Sequence, residues 1–277
     1  MEEKRNFDLL TLGQVLLRLS PPNNDRLVRG DTFVKQVGGA ELNVAVGVAL
    51  LGLRTGVISK LPSHDMGSFM KGKIRSYGVS DDFFMYDDSP SARVGIYYYE
   101  NGAYPRKPKV IYDRANSSFY SLKIDEIPEK AYTASRCFHT SGITLALSPK
   151  VRETTIEMIK RFKAAGTLVS FDVNFRGNLW TGEEAKECIE QILPYVDIFF
   201  CSEDTARLTF KKTGTAREMM KSFTEEYPIS IVASTQRIVH SPKSHTFGSI
   251  IYDARKDIYY EEEPYRDIDV VDRIGSG

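Results

Sequence analysis

What the 277-residue sequence has little of narrows it first. It carries no net charge, since 37 basic residues face 37 acidic ones. No global field therefore favours nucleic acid or an anionic membrane, and neither is expected as a partner. No apolar run approaches the length that spans a bilayer, and Met1-Glu-Glu-Lys-Arg-Asn6 is followed by no secretory core. Cysteine is scarce: Cys137, Cys188 and Cys201 stand far apart and fit neither a zinc nor a redox motif. They read as reduced, buried thiols of a cytoplasmic protein. Four histidines occur, none at metal-ligand spacing, and His139 reads as structural. Neither a Gly-X-X-X-X-Gly-Lys-Ser/Thr loop nor a Gly-X-Gly-X-X-Gly fingerprint is present, which argues against P-loop and dinucleotide-binding enzymes.

What is present is alternation. Phe7 to Gly13, Thr55 to Leu61, Cys137 to Ser141, Leu168 to Asn174, Asp197 to Cys201 and Ile229 to Ala233 read as buried strands. Asp65 to Tyr77, Pro149 to Ala165, Glu183 to Leu193, Glu203 to Phe210 and Ala216 to Glu226 read as helices, with Gly78 and Gly166 where two of them should stop. The order predicts an α/β fold: a single domain over 1–277 with a doubly wound, mostly parallel sheet and helices on both faces. Two regions, about 16–37 and 92–114, break the alternation. The first holds the loop Pro21-Pro-Asn-Asn-Asp25, the second the turn dipeptide Asn101-Gly102 between strand-like runs. They are expected to pair as a small antiparallel β-sheet projecting from the main one; an edge hairpin without function is the alternative.

Two glycine-bearing segments carry chemistry. In Val37-Gly-Gly-Ala-Glu-Leu-Asn-Val-Ala-Val-Gly-Val-Ala-Leu-Leu-Gly52, a glycine pair precedes a helix that should end at Leu51. Its small residues Ala45, Gly47 and Ala49 would allow close packing on a sheet. In Asp272-Arg-Ile-Gly-Ser-Gly277, a Gly-X-Gly follows the extended, acidic stretch Ile268 to Val271. Glycines there can turn successive N–H groups toward an anion. Alone, that ending could equally be a flexible tail. Together the two segments resemble the two signatures of the ribokinase-like (pfkB-type) carbohydrate kinases, and the resemblance runs from Leu10 to the terminus. It implies that Gly38, Gly39 and Asn43 lie against a sugar. It also implies that Gly275, Ser276 and Gly277 form the anion hole, that Ser202, Gly275 and Gly277 face the nucleotide, and that ATP and magnesium are the cofactors. The small antiparallel sheet would then be a β lid over the sugar, and a homodimer through the lid is a further implication. The family pattern continues with an Asp as catalytic base, whereas Gly277 is the last residue here. The expectation is a chain cut within its second signature, without the base and the nucleotide-side helices, that binds better than it catalyses.

Substrate chemistry follows from the lid. Residues two apart on a strand share a face, so Tyr112 and Arg114 project together, as do Tyr97 and Tyr99 with Tyr98 opposite. An Arg beside a Tyr suits an anionic, hydroxyl-rich ligand. Arg176 follows the strand Phe171-Asp-Val-Asn-Phe175, at the end where ligands of parallel sheets bind. Plainer readings stand beside these: β-propensity for the tyrosines, a surface pair with Asp113 or Glu100 for Arg114, and a loop position for Arg176. Asp172 either caps neighbouring backbone or acts on substrate. The set is similar to that of 2-keto-3-deoxygluconate kinases, which implies that Tyr97, Tyr112, Arg114 and Arg176 contact a sugar acid. Gly13 to Pro22 also looks like that subgroup, with Arg18 near the place where ribose kinases carry an Asp. Two departures stand out. Ser202-Glu-Asp-Thr205 occupies the place of an Asn-X-X-Glu linked to magnesium, so no metal ligand is assigned. Ser234 to Ser241 replaces a glycine-bearing turn near the nucleotide. The expected activity is ATP-dependent phosphorylation of 2-keto-3-deoxygluconate; a fructokinase and a catalytically impaired sugar-binding pseudokinase are the alternatives.

Overall fold

The computed structural model describes residues 5–272, 274 and 275. The chain begins with β1 (Phe7–Leu12), β2 (Leu16–Ser20), β3 (Val34–Gly38) and helix α1 (Ala40–Leu50). Next come β4 (Thr55–Pro62), α2 (Asp65–Ser76), β5 (Val79–Asp87), β6 (Gly95–Glu100) and β7 (Lys109–Asp113). The middle of the chain forms α3 (Lys130–Thr133), β8 (Ser135–Ser141), α4 (Gly142–Ala146), α5 (Pro149–Ala164), β9 (Leu168–Asp172) and α6 (Gly182–Glu190). The last third supplies β10 (Ile198–Phe200), α7 (Glu203–Leu208), α8 (Ala216–Glu226), β11 (Ile231–Ser241), β12 (Ser244–Asp253), β13 (Ile258–Glu261) and β14 (Tyr265–Asp269).

Helix starts follow local chemistry. Ser148 accepts the Val151 N–H ahead of α5, and Thr181 and Thr215 form reciprocal capping boxes with Glu184 and Glu218. Helix ends at Gly78 and Gly166 take positive φ, as expected of stop residues.

The main sheet runs β13-β12-β11-β10-β9-β8-β1-β4-β5, with β14 also on β12. From β11 to β5 every neighbouring pair is parallel. The chain winds outward from β1 through β4 to β5, then returns and winds the other way from β8 to β11. The order therefore reverses between β1 and β8, and the carboxyl ends of those two strands frame a crevice where sheets of this kind hold ligands. Alternate residues of β4 and β5 enter different cores. Val57 and Phe84 join the helices α1 and α2 on one face, while Ile58 and Phe83 join the larger core under α5, α6 and α8 on the other. The doubly wound, largely parallel architecture is thus present, with helices on both faces.

A separate four-stranded sheet, β3-β2-β6-β7, holds the two regions that break the alternation. Its outer pairs are antiparallel hairpin partners, while the central β2–β6 pair that joins them is parallel.

Three local expectations change. The segment Ser234 to Ser241 is not a turn: it is the outer part of β11, paired antiparallel with β12 as a ribbon. The Asn101-Gly102 dipeptide does not make the β6–β7 turn; mutual backbone bonds between Ala103 and Arg106 close it, inside a loop from 101 to 108. Gly47 faces solvent, and a methyl group there would meet open space, so only Ala45 and Ala49 of the three serve packing on the core. Among the described residues, no helix is long and apolar enough to cross a membrane.

Phe162 anchors the larger core. Its ring stacks on Phe138 at 4.0 Å and meets Tyr132 edge-on at 5.1 Å. Replacing it with Ala should cost about 3–5 kcal/mol, as for other buried aromatics. Urea unfolding of Phe162→Ala checks this; a loss under 1 kcal/mol would show that the stack carries little.

Candidate active site

The crevice between β1 and β8 is built by residues that approach one another closely. Gly39 opens α1 with φ 154°, a conformation that favours glycine, and a methyl group there would lie 2.7 Å from the Gln14 carbonyl oxygen. Gly38 lies under Tyr97, whose hydroxyl would be 2.7 Å from a methyl at that position. Tyr97 pairs with Tyr112 across β6 and β7, and their rings stand 6.0 Å apart. Burial pushes the Tyr97 phenol up to about 12, so it remains a hydrogen-bond donor at any ordinary pH. Tyr97 and Tyr99 share the buried face, as their spacing predicts, while Tyr98 turns the other way toward Phe33.

The two glycine signatures meet. A methyl on Gly275 would lie 3.4 Å from the Asn43 side chain. Ile274 packs on Leu16, Tyr97 and Tyr99 beneath the lid. Asp272 bonds Arg18 at 2.7 Å and accepts the Ile274 N–H at 2.9 Å. Gly275 is exposed with φ 89°. Ser276 and Gly277, the other expected anion-hole residues, lie outside the described residues.

Arg114 projects beside Tyr112, with its guanidinium 5.5 Å from the ring centre. It does not form the surface pairs that its neighbours suggested. Arg93 takes Asp113 at 2.7 Å and Arg106 takes Glu100 at 2.9 Å. Instead, its Nε donates to Gln14 Oε1 at 2.8 Å. Desolvation lowers the Arg114 pKa, and the charges of Tyr120, Tyr112 and Glu41 act the other way. Arg176 is exposed past β9, with one guanidinium N–H on the Phe175 carbonyl.

Sequence reasoning missed Glu41. It is only 2% exposed, and its Oε1 accepts from Ser141 Oγ at 2.6 Å and Thr144 Oγ1 at 2.8 Å. These partners sit at the carboxyl end of β8 and the start of α4. Desolvation raises its pKa, against the lowering effect of the two hydroxyls. The available signal was a carboxylate in the first turn of a helix whose other residues, Asn43 excepted, are apolar or glycine. Asp172 ends β9 beside Ser141 and caps the Asn174 N–H at 2.9 Å, so the backbone role is present. Burial raises its pKa to about 6, with the nearby Glu41 charge adding to the effect.

Ser202, expected to face a nucleotide, caps α7 through the Thr205 N–H and donates to Thr205 Oγ1 at 2.9 Å. Two hydroxyls bonded to each other do not make a magnesium site. Among the described residues, no cluster of three or more His, Cys, Asp or Glu could hold a metal ion. His139 is structural as expected: its Nδ1 lies 2.9 Å from Ser170 Oγ, and burial lowers its pKa to about 4.

Comparison with known proteins identifies the family. The model of the pfkB family of carbohydrate kinases matches residues 6–277. This chain belongs to that family. The 2-dehydro-3-deoxygalactonokinase of Haloferax volcanii is 33% identical over 270 residues, spanning 98% of this chain and 80% of the relative. The crystal structure of the 2-dehydro-3-deoxygluconokinase of Thermotoga maritima superposes with a TM-score of 0.90 at 30% identity, covering 96% of this chain and 82% of that one. A sugar kinase from Pyrococcus horikoshii, solved in complex with ATP, shares the fold with a TM-score of 0.70 at 21% identity, over 95% and 79% of the two chains. This carbohydrate kinase is therefore a phosphotransferase with ribokinase-like architecture.

Asp172 gives the site a pH signature. Its folded pKa, about 6, lies above the usual 3.8, so the folded chain keeps a proton that the unfolded chain has released. Its contribution to stability is complete below about pH 4 and is lost as the pH rises through 6. His139 acts oppositely: its pKa falls from 6.5 to about 4, so its contribution is lost as the pH falls. The two partly cancel in the native protein, and substituting Asp172 separates them. Asp172→Asn, which keeps the acceptor for Asn174, should gain roughly 1–3 kcal/mol on the native protein between pH 4 and 7. Chemical denaturation at both pH values measures this, and an equal difference at each would refute the buried-acid assignment.

Proposed function

We propose that this kinase phosphorylates a hydroxyl of a 2-keto-3-deoxy sugar acid, with 2-keto-3-deoxygluconate (the same compound as 2-dehydro-3-deoxygluconate) as its preferred substrate and ATP as donor. The observation that carries this reading is Arg114. It is a half-buried cation whose neighbouring carboxylates, Asp113 and Glu100, are engaged by other arginines. A neutral sugar leaves such a guanidinium without a counterion, whereas a carboxylate satisfies it bidentately. Arg176 supplies a second cation at the carboxyl end of β9, and the Tyr97 and Tyr112 hydroxyls suit the sugar hydroxyls. Gly38, Gly39 and Asn43 form the opposite wall. The names of the Haloferax and Thermotoga relatives support an acid of this class; the galacto and gluco acids differ in configuration at one hydroxyl-bearing carbon.

Phosphoryl transfer requires an in-line hydroxyl, an acceptor for its proton and donors for charge on the moving group. Gly275, with Ser276 and Gly277, serves as the donor loop in this reading, and Ser202 lies toward the nucleotide. Magnesium would arrive bound to the nucleotide phosphates and water, needing few ligands from the protein itself. The resemblance implies an Asp directly after Gly277 as base, and Gly277 is the last residue of the sequence. Asp272 does not take that role, because it is held by Arg18 and the Ile274 N–H. The pairing of Ser202 with Thr205 favours a second reading, a protein that binds the sugar acid without turning it over. We also infer a homodimer through the lid, whose Phe33, Val34, Val110 and Ile111 are exposed.

Calorimetric binding and an ATP-coupled turnover assay with 2-keto-3-deoxygluconate, its galacto epimer and fructose separate these readings. The acids should bind far more tightly than fructose. Arg114→Ala should weaken acid binding tenfold or more, corresponding to about 1.5–3 kcal/mol for hydrogen bonds to a charged group. Preference for fructose, with Arg114→Ala no worse than the native protein, would end the sugar-acid assignment. Tight acid binding without turnover would select the second reading.

A further inference from the structure

Gln14 lies in the turn between β1 and β2 and is 3% exposed, although its side chain is polar. Both ends of its amide are used. Oε1 accepts from Arg114 Nε at 2.8 Å. Nε2 donates to the Arg114 carbonyl at 3.1 Å and to Ser117 Oγ at 2.7 Å. The amide therefore grips Arg114 by side chain and backbone together. The surrounding packing fixes the amide itself. A methyl on Gly95 would lie 2.8 Å from Gln14 Nε2, and the Gln14 carbonyl presses on Gly39. The same residue thus touches the glycine pair, the first residue of β6 and the arginine.

Two properties of this grip matter. It uses the Nε of Arg114, and among the described residues no hydrogen bond or ion pair engages either Nη group. Their fork is what a carboxylate would use for two parallel bonds. The grip is also neutral. Every other buried or half-buried arginine of this region meets a carboxylate: Arg18 meets Asp272, Arg93 meets Asp113 and Arg106 meets Glu100. Arg114 is oriented by an amide, which directs it without cancelling its charge. The carboxyl nearest in electrostatic terms, Glu41, is pushed toward its protonated form by burial.

We propose that Gln14 is a specificity-determining positioning residue: it aims Arg114 at the carboxylate of the substrate and leaves the full guanidinium charge available to it. This rests on the reading of the substrate as a sugar acid. The step is one of binding, and no bond is made or broken by Gln14.

The test compares the full-length protein's affinity for 2-keto-3-deoxygluconate with that for 3-deoxyfructose, which carries a hydroxymethyl group in place of the carboxylate. Calorimetry gives the ratio without depending on turnover. If the native protein binds both equally, the sugar-acid reading fails and this proposal falls with it. If the native protein prefers the acid, Gln14→Met should lower the ratio tenfold or more, because Arg114 loses its aim. Gln14→Glu keeps an oxygen for Nε but adds a charge, and it too should lower the ratio about tenfold. In an Arg114→Ala background, Gln14→Met should lower the ratio no further, since the effect passes through Arg114. An unchanged ratio in a cooperatively melting Gln14→Met protein overturns the proposal alone, as does a native ratio in Gln14→Glu or an additive loss in the double variant. Should Gln14→Met fail to fold, Gln14→Glu, nearly identical in shape to the native residue, decides.

Discussion

Arg18 is 6% exposed on the underside of the lid, and its charge must be met there because a guanidinium loses its hydration when buried. The counterion comes from the far end of the sequence. Asp272 lies 2.7 Å from one Nη, Ser20 Oγ takes Nε at 2.9 Å, and the Tyr99 ring lies 4.5 Å below the guanidinium. The second oxygen role of Asp272, accepting the Ile274 N–H, shapes the turn that leads to Gly275. One carboxylate thus satisfies a buried cation and shapes the turn at Ile274. Ile274 adds apolar contact to the same underside. The first lid strand and the last segment of the chain are thereby joined at the point where Asn43 meets Gly275.

Around that junction, charge is distributed unevenly. The crevice floor holds Glu41 and Asp172, both with pKa values raised by burial, and the Glu41 charge makes ionisation of Asp172 harder still. The lid side contributes Arg114 and the outer loop Arg176. A floor of reluctant acids beneath available cations favours an anionic ligand, because repulsion from below is weak while attraction from the side is retained. Ser141 and Thr144 stabilise Glu41 through neutral hydroxyls, so its hydrogen bonds bring no cation to the floor. The electrostatics of binding therefore depend on how each charged group is partnered, more than on how many there are. The net charge of zero conceals this local asymmetry.

The parallel core was readable because burial on both faces imposes continuous apolar runs. Thr55 to Leu61 and Leu168 onward are strands within a residue or two of their expected limits, and Ala216–Glu226 is a helix with the expected bounds. The ribbon of β11 and β12 was unreadable for the converse reason. From Thr235 to His240 every residue of β11 is exposed, so neither face imposes an alternation, and only pairing with β12 holds it extended. The parallel β2–β6 pair depends on contacts between distant segments, which local pattern does not encode. In the site, Tyr97, Tyr112 and Arg114 were legible from two-residue spacing, and they do converge. Gln14 and Glu41 were not, since a polar residue in a turn or a helix's first turn ordinarily faces water. Their side chains are satisfied by hydrogen-bond partners 100 or 103 positions away in sequence.

The glycines of the crevice acquire a reason that precedes any ligand. Gly13 leaves room for the Glu41 carboxyl, Gly38 for the Tyr97 hydroxyl, Gly39 for the Gln14 carbonyl and Gly95 for the Gln14 amide. Each gives way to a polar atom of the site, so a methyl group at any of them would displace a functional group. A glycine signature is usually attributed to the approach of backbone to phosphate or sugar. Here it also lets side chains of the site approach backbone. Close approach at Gly39 brings the β1–β2 turn against the start of α1, and that contact sets the Gln14 amide where Arg114 can meet it. Steric permission at four small residues and the orientation of one arginine are then a single arrangement. A substitution at the glycine pair would accordingly shift the Gln14 amide, and with it Arg114, even where it left the backbone of the pair in place.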